Sequence, residues 1–280
     1  MRTLTARLRT AAWLGWQVES NWADPLVFFI YTVLRPLATS LILAAMYWAV
    51  GARATRAGLF PAVYLGNAFH VYVTTVVIGM GWVVVEDREE YETLKYVYTS
   101  PIGMFSYLTG RASVKLVLAT VSLLLTLGVG WFLVHVRWSW SAVAWGPLLA
   151  TLVLGLAATL ALGFLVAGVG LLLPRAAINI NEGLAVSLYL LCGVIFPIDL
   201  LPHGLQELSL LLPFTWWYEG LRRFTFGHGV SARIGALSNV QLLGALLVTT
   251  LAFMLLGYRG YSALERRARQ AGRLDQTTMF

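Results

Sequence analysis

The sequence predicts an all-α polytopic membrane protein with six transmembrane helices. Two bulk observations and one of pattern predict it. Of 280 residues, 59% are hydrophobic and only 12% charged, with a mean hydropathy of +0.74. Soluble domains run closer to roughly 45–50% apolar. The apolar residues also gather into runs near the ~20 needed to cross a ~30 Å hydrocarbon core. The spans use up most of the chain, so residues 1–280 read as a single transmembrane domain. The lone Cys192 lies inside an apolar run, which excludes an internal disulfide framework and a cysteine-based metal site.

Residues 1–24 read as an interfacial helix. Leu4, Leu8, Ala11, Ala12 and Trp16 recur at helical spacing, while Arg2, Arg7 and Arg9 suit anionic headgroups. Trp13, Trp16 and Trp22 favour this over a frayed basic tail. The first long apolar run, Leu26–Val50, exceeds the roughly 7–15 residues of a cleavable signal core. Six spans follow: Leu26–Val50, Pro61–Val85, Ser113–His135, Pro147–Leu173, Gly183–Ile195 continuing toward Leu201, and Leu242–Tyr258. Small residues in the fourth (Gly155, Gly163, Ala167, Gly168, Gly170) allow close approach of a neighbour, in the same chain or in a second copy.

Orientation follows from Lys and Arg, whose position matters more than the net charge of +7. With the N-terminus inside, thirteen of the 20 fall in cytoplasmic segments, six in outer segments (Arg53, Arg56, Arg137, Arg222, Arg223, Arg233), and Arg35 within a span. Both termini are therefore expected in the cytoplasm.

Three segments break the apolar pattern. Glu86 to Lys95 packs seven charges into ten residues between spans two and three. Residues 86–101 read as a short amphipathic cytoplasmic helix. Glu89 and Glu92 fall at i, i+3; Tyr91, Leu94 and Tyr98 lie on another face; Thr99-Ser100-Pro101 ends it. Spacing alone leaves a solvated connector and a partner-docking helix both open. Arg35-Pro36 sits inside span one. An arginine there costs roughly 2.5–3.5 kcal/mol on insertion scales and faces either a pathway or, by snorkelling, the headgroups; Pro36 should kink the helix. Residues 197–229 hold two apolar stretches too short to span, separated by Pro and Gly. They read as a re-entrant hairpin from the outer face, in preference to a loop lying flat on the surface. Trp216, Trp217 and Tyr218 are expected at the outer headgroup level, with Trp131, Trp138, Trp140 and Trp145.

These features, in this order, resemble the permease subunit of type-2 ABC exporters, which serve drug, lipid and polysaccharide export. That family carries E-R-E-x-G-T-L-E-x-L-x-x-x-P after span two. Here Glu86-Asp87-Arg88-Glu89-Glu90-Tyr91-Glu92-Thr93-Leu94 runs on to Thr99-Ser100-Pro101, with Glu92 in place of Gly and Lys95 in place of Glu. The second match is Cys192-Gly193-Val194-Ile195-Phe196-Pro197-Ile198-Asp199-Leu200-Leu201-Pro202, then Leu211-Leu212-Pro213-Phe214-Thr215 and Glu219-Gly220-Leu221-Arg222. The resemblance implies a coupling helix at Glu86, Asp87, Arg88, Glu89, Glu92, Thr93, Leu94 and Tyr98, pressed by two copies of an ATP-binding subunit. It implies an elbow helix at the N-terminus, and a second permease copy or paralogue. Between spans one, two and five a substrate path would run, for which Arg35, Pro36, Phe196, Pro197, Trp216 and Trp217 are candidates. The setting is a bacterial plasma membrane, and the substrate is expected to be hydrophobic or amphiphilic: a drug-like molecule, lipid or glycolipid. Polymer export and a haem-assembly role are the alternatives.

No cofactor, catalytic or metal residue is expected in this chain. A phosphate-binding loop needs G-x-x-x-x-G-K-[ST]. The nearest segment, Gly103 to Gly110-Arg111-Ala112-Ser113, has the wrong spacing and no Lys. ATP and magnesium would thus be bound by the partner. His70, His135, His203 and His228 are scattered, and no carboxylate is placed mid-span, which disfavours a membrane enzyme and an ion-driven transporter. Nucleic acid is not an expected partner.

Overall fold

The structure is a computed structural model that describes residues 2–20, 30, 34–50, 59–132, 136 and 139–272, excluding the side chains of residues 2–8, 35, 36, 47–50 and 178. The described elements are helices throughout, joined by turns, with no strand among the described residues. In chain order they are α1 (Arg2–Ser20), α2 (Arg35–Val50), α3 (Leu59–Glu89), α4 (Leu94–Thr99), α5 (Met104–Phe132), α6 (Trp145–Leu172) and α7 (Pro174–Leu191). After a single turn at Ile198–Leu200 come α8 (His203–Leu211), α9 (Pro213–Phe226), α10 (Ala232–Gly235) and α11 (Asn239–Gln270).

Among the described residues, four helices are long and apolar enough to cross a membrane: α3, α5, α6 and α11. They track the expected second, third, fourth and sixth spans. Helix α2 contributes a shorter apolar stretch, Leu37–Met46. The start of the expected first span, and the side chains of Arg35 and Pro36, lie outside the described residues. The expected fifth span needs correcting. Helix α7 begins at Pro174, nine residues before Gly183, and includes Asn179, Asn181 and Glu182. Within the helix, Asn181 is buried against Gly81 of α3 and Glu182 is exposed partway along α7.

Helix α3 is the centre of the bundle. Of its most apolar window 72% is buried, against 22% for α11. Val76, Met80, Val83 and Val84 of α3 join Leu162, Val166, Ala167 and Leu171 of α6 in one core. Residues Val73–Ile78 widen into a π-helical stretch, the kind of local insertion that often marks a functional site. In lipid, close packing rather than water exclusion drives helix association. The small residues of α6 supply it within this chain. Gly163 faces Met80, Gly168 faces Tyr261 and Leu264, Gly170 faces Gly81 and Val84, and Gly155 receives the indole of Trp217.

Helices α3, α6 and α11 run one way and α5 the other, so the bundle has two ends. At the Arg222 end lie the starts of α3 and α6 and all of α8–α10. At the Glu86 end lie α1, α4, the start of α5 and the finish of α11. Helix α1 packs along α5, where Gly15 meets Arg111 and Val114, and Gly110 meets the Ala11 backbone.

Helices α8 and α9 meet at a corner, where the Thr215 hydroxyl donates to the Ser209 carbonyl (2.7 Å). Phe214 packs edge-on against Phe253, about 21 Å along α11, while the Phe224 carbonyl accepts from the Ala144 amide at the start of α6 (2.9 Å). The expected headgroup position of Trp216 and Trp217 is corrected here. Trp217 is fully buried and Trp216 nearly so, its indole donating to the Leu210 carbonyl at 2.8 Å. The Gly155 notch accepts Trp217, so α9 turns this aromatic face inward. Among the described residues, exposed aromatics at that end include Phe132 and the pair Trp140 and Trp145, stacked at 6.0 Å.

Candidate functional site

The charged run after the second expected span is not one helix. Helix α3 continues through Glu89, the amides of Glu90 and Tyr91 both donate to the Glu86 carbonyl (2.9 and 3.0 Å), and α4 starts afresh at Leu94. Between them Glu92 has φ +48°, which among the described residues no other non-glycine adopts. This break is why the expectation of a shared face for Glu89 and Glu92 fails: Glu89 is buried and Glu92 points to solvent. Leu94 and Tyr98 do share the inward side of α4, with Leu94 buried; Tyr91 stands apart and exposed.

The left-handed conformation also explains a feature of the resembling motif, which carries Gly where this chain has Glu92. A side chain there costs roughly 1–2 kcal/mol. Glu92 also pairs with Lys95 at 2.9 Å, but both are exposed, so that pair contributes about 0–1 kcal/mol. Glu92→Gly should therefore hold or raise the unfolding temperature of the purified chain, while Glu92→Val should lower it.

Most of the charges in this run are spoken for within the chain. Asp87, fully buried, accepts from the Tyr107 hydroxyl (2.8 Å). Glu86 lies 3.6 Å from the buried guanidinium of Arg111, which is 3.5 Å from Glu19. Lys115 reaches Glu19 at 2.7 Å. Three helices thus meet in one ionic cluster, with Glu19 from α1, Glu86 and Asp87 from α3, and Arg111 and Lys115 from α5. Removing one partner of such a buried set typically costs about 3–5 kcal/mol, so the cluster fixes α1 to the end of α3. Arg88 points the other way and donates to the carbonyls of Gly170 (2.8 Å) and Leu171 (3.3 Å), satisfying the last turn of α6. Thr93 donates to the Asp87 carbonyl (3.4 Å).

Tyr98 anchors the other side of α4. Its ring lies under the Arg269 guanidinium of α11 (4.6 Å), and Arg269 itself pairs with Glu265 at 2.5 Å. Burial pushes the Tyr98 phenol above its ordinary value, and the Glu265 charge adds to that. What remains exposed is Glu90, Tyr91, Glu92, Lys95 and Tyr96, an acidic and aromatic ridge on a turn clamped to α1, α5, α6 and α11. Of the residues expected to meet a partner, Asp87, Arg88, Glu89 and Leu94 are buried within the chain, and Glu92 is exposed. Glu90 and Tyr96, absent from that expectation, are on the ridge. The sequence signal for the buried cluster is slight: Glu19 is the first carboxylate in the chain, and Arg111 and Lys115 are one helical turn apart at the head of a span.

A second polar region lies at the junction of α2, α3, α7 and α9. Tyr189 donates to Asn67 (2.8 Å), which donates to Ser40 (3.3 Å), and His70 bonds the Tyr218 hydroxyl at 2.9 Å. Nearby, α7 stops at a turn where Gly193 has φ +70°. The buried Arg222 closes that turn by donating to the carbonyls of Gly193 (2.8 Å), Val194 (2.6 Å) and Ala62 (2.8 Å), beside Glu219 at 3.7 Å. Glu219 in turn accepts from the amides of Val230 (2.6 Å) and Ser231 (2.9 Å), and Asp199 from that of Ala232 (2.7 Å). Phe196 and Pro197 are half-buried in the same turn. Among the described residues no group of three or more His, Cys, Asp or Glu is placed to hold a metal ion.

The structure is thus a bundle of apolar helices with a clamped charged turn at one end and a helix stop closed by Arg222 at the other. The family model described as ABC-2 type transporter matches residues 8–226, and the chain belongs to that family. It is a membrane subunit of an ABC transport system, whose family works with an ATP-binding partner. Comparison with curated proteins finds no match.

Proposed function

We propose that this chain is the permease of an exporter that moves a hydrophobic or amphiphilic molecule outward across a bacterial plasma membrane. Two ATP-binding subunits drive it by pressing on the Glu90–Tyr96 ridge. The observation that carries the reading is mechanical: the ridge is exposed, yet the chain either side of it is tied by buried ionic and hydrogen bonds to α1, α5, α6 and α11. A push there is delivered to the whole Glu86 end. In this reading α1 is the elbow helix, both termini are cytoplasmic, and the six spans include α2 with its preceding residues and α7. Helices α8 and α9 are the re-entrant hairpin.

A second copy of the chain, or a relative, would complete a path along α2, α3 and α7. The Ser40–Asn67–Tyr189 chain and His70 offer the polar groups nearest to such a path. Arg35, Pro36, Phe196 and Pro197 stay candidates for it, whereas Trp216 and Trp217 act through packing. The burial of Trp216 and Trp217 supports this reading over a haem-assembly role, which would need exposed aromatic residues to hold the haem.

The test is ATP hydrolysis by co-expressed ATP-binding subunits reconstituted with and without this chain. Stable co-purification and an ATPase rate that depends on the chain and responds to an amphiphile are expected. ATP-binding subunits that neither bind the chain nor change rate would refute the proposal.

A further inference from the structure

Helix α11 is 32 residues long, about 48 Å at 1.5 Å per residue, against a ~30 Å hydrocarbon core. It is also the long helix with the least of its surface buried, so most of its circumference is left uncovered by this chain. One side is occupied by the chain itself: Gly257, Tyr261, Leu264 and Ala268 pack toward α6. On the opposite side, at 100° per residue, Val248, Leu255, Arg259 and Arg266 fall within about 40° of one another. All four are exposed. The stripe is therefore apolar along the span and basic where the helix leaves it. Tyr258, exposed beside Arg259, suits the boundary between the two.

The charges on this stripe are uncompensated. Among the described residues, no carboxylate lies within 4.0 Å of Arg259, Arg266 or Arg267. The nearby acid on the helix, Glu265, is turned toward Arg269 and Tyr98. Helical side chains lean toward the N-terminus, which here is toward the membrane, so Arg259 and Arg266, about 10.5 Å apart along the axis, both lean that way. The two long side chains thus follow one another along the same stripe, beyond the exposed apolar side chains of Leu255 and Val248.

We propose that this stripe is a binding site for an anionic phospholipid, its phosphate held by Arg259 and Arg266 and its acyl chain lying along Leu255 and Val248. The site goes beyond the motor reading and lies past the residues of the family match. It has a structural consequence, because the same end of α11 holds Tyr98 of α4 through Arg269.

The assay needs no ATP-binding subunit. The purified full chain in detergent is titrated with dioleoylphosphatidylglycerol or dioleoylphosphatidylcholine and bound lipid is counted by native mass spectrometry. Each arginine near an anionic headgroup contributes about a fivefold factor, so the wild type should favour the anionic lipid by roughly 25-fold. Arg259→Gln/Arg266→Gln should lose that preference with an unchanged unfolding temperature. Arg233→Gln, at the opposite end of the bundle, should keep it. Soluble glycerol phosphate should not displace the lipid, since it lacks the acyl chain. The proposal is overturned if the double variant keeps the preference, if the wild type shows none, or if glycerol phosphate competes as well as lipid does.

Discussion

Arg222→Met should abolish folding of this protein. The guanidinium satisfies three backbone carbonyls, at Ala62, Gly193 and Val194, none of which has water to turn to inside the bundle. The Gly193 and Val194 carbonyls would each be left unpaired at about 1–3 kcal/mol, while that of Ala62 keeps its bond within α3. Glu219 would also lose its one nearby cation while remaining buried, at about 3–5 kcal/mol for a broken buried pair. Total stabilities are of order 5–15 kcal/mol, so the sum is decisive. Arg222→Lys should fail in the same direction, because one ammonium does not match the fork that reaches three carbonyls from separate nitrogens. Arg222→Met/Glu219→Gln should recover part of the loss, since taking out both charges is less damaging than stranding one. The yield of monodisperse protein in detergent and its unfolding temperature give the answer. A single Arg222→Met variant as stable as the wild type would show that the turn at Gly193 is not held this way.

The reason this residue matters is the break at Gly193. Helix α7 ends at Leu191 in mid-bundle, exposing carbonyls that a continuous helix would have used itself. Arg222 replaces those lost bonds from a different helix. The end of α7 is thereby stabilised, and α9 is tied to the start of α3.

Much of this was legible in the sequence wherever a long apolar run decided the matter. The cores of α3, α5, α6 and α11 fall where length and hydropathy place them. Where side chains pair across distant segments, the sequence carried little. Asp87 and Arg88 look like solvent-facing charges in their local run, and only Tyr107 on α5 and the end of α6 reveal them as buried. Trp216 and Trp217 fit the rule for interfacial aromatics, but that rule has no knowledge of the notch at Gly155 that takes Trp217 in. The start of α7 was hidden for a related reason: Asn181 looks like a connector residue until Gly81 leaves it a buried place to lie. Small residues and long-range partners decide these cases, and neither leaves a local periodicity.

The position of the charged turn was readable, whereas the identity of its outward residues was not. Glu90 and Glu92 extend from it together with Tyr91 and Tyr96, while the flanking charges are held inside. If a cationic surface of the ATP-binding subunit seats on this ridge, reversing both charges places like charges together, at a cost of several kcal/mol. The measurement is ATPase activity of the reconstituted complex carrying Glu90→Lys/Glu92→Lys, alongside co-purification and the unfolding temperature of the chain. The account predicts an unchanged unfolding temperature, because neither carboxylate is buried, with co-purification and chain-dependent ATPase reduced by roughly tenfold or more. A double variant that assembles and hydrolyses ATP like the wild type would contradict the claim that this ridge receives the motor.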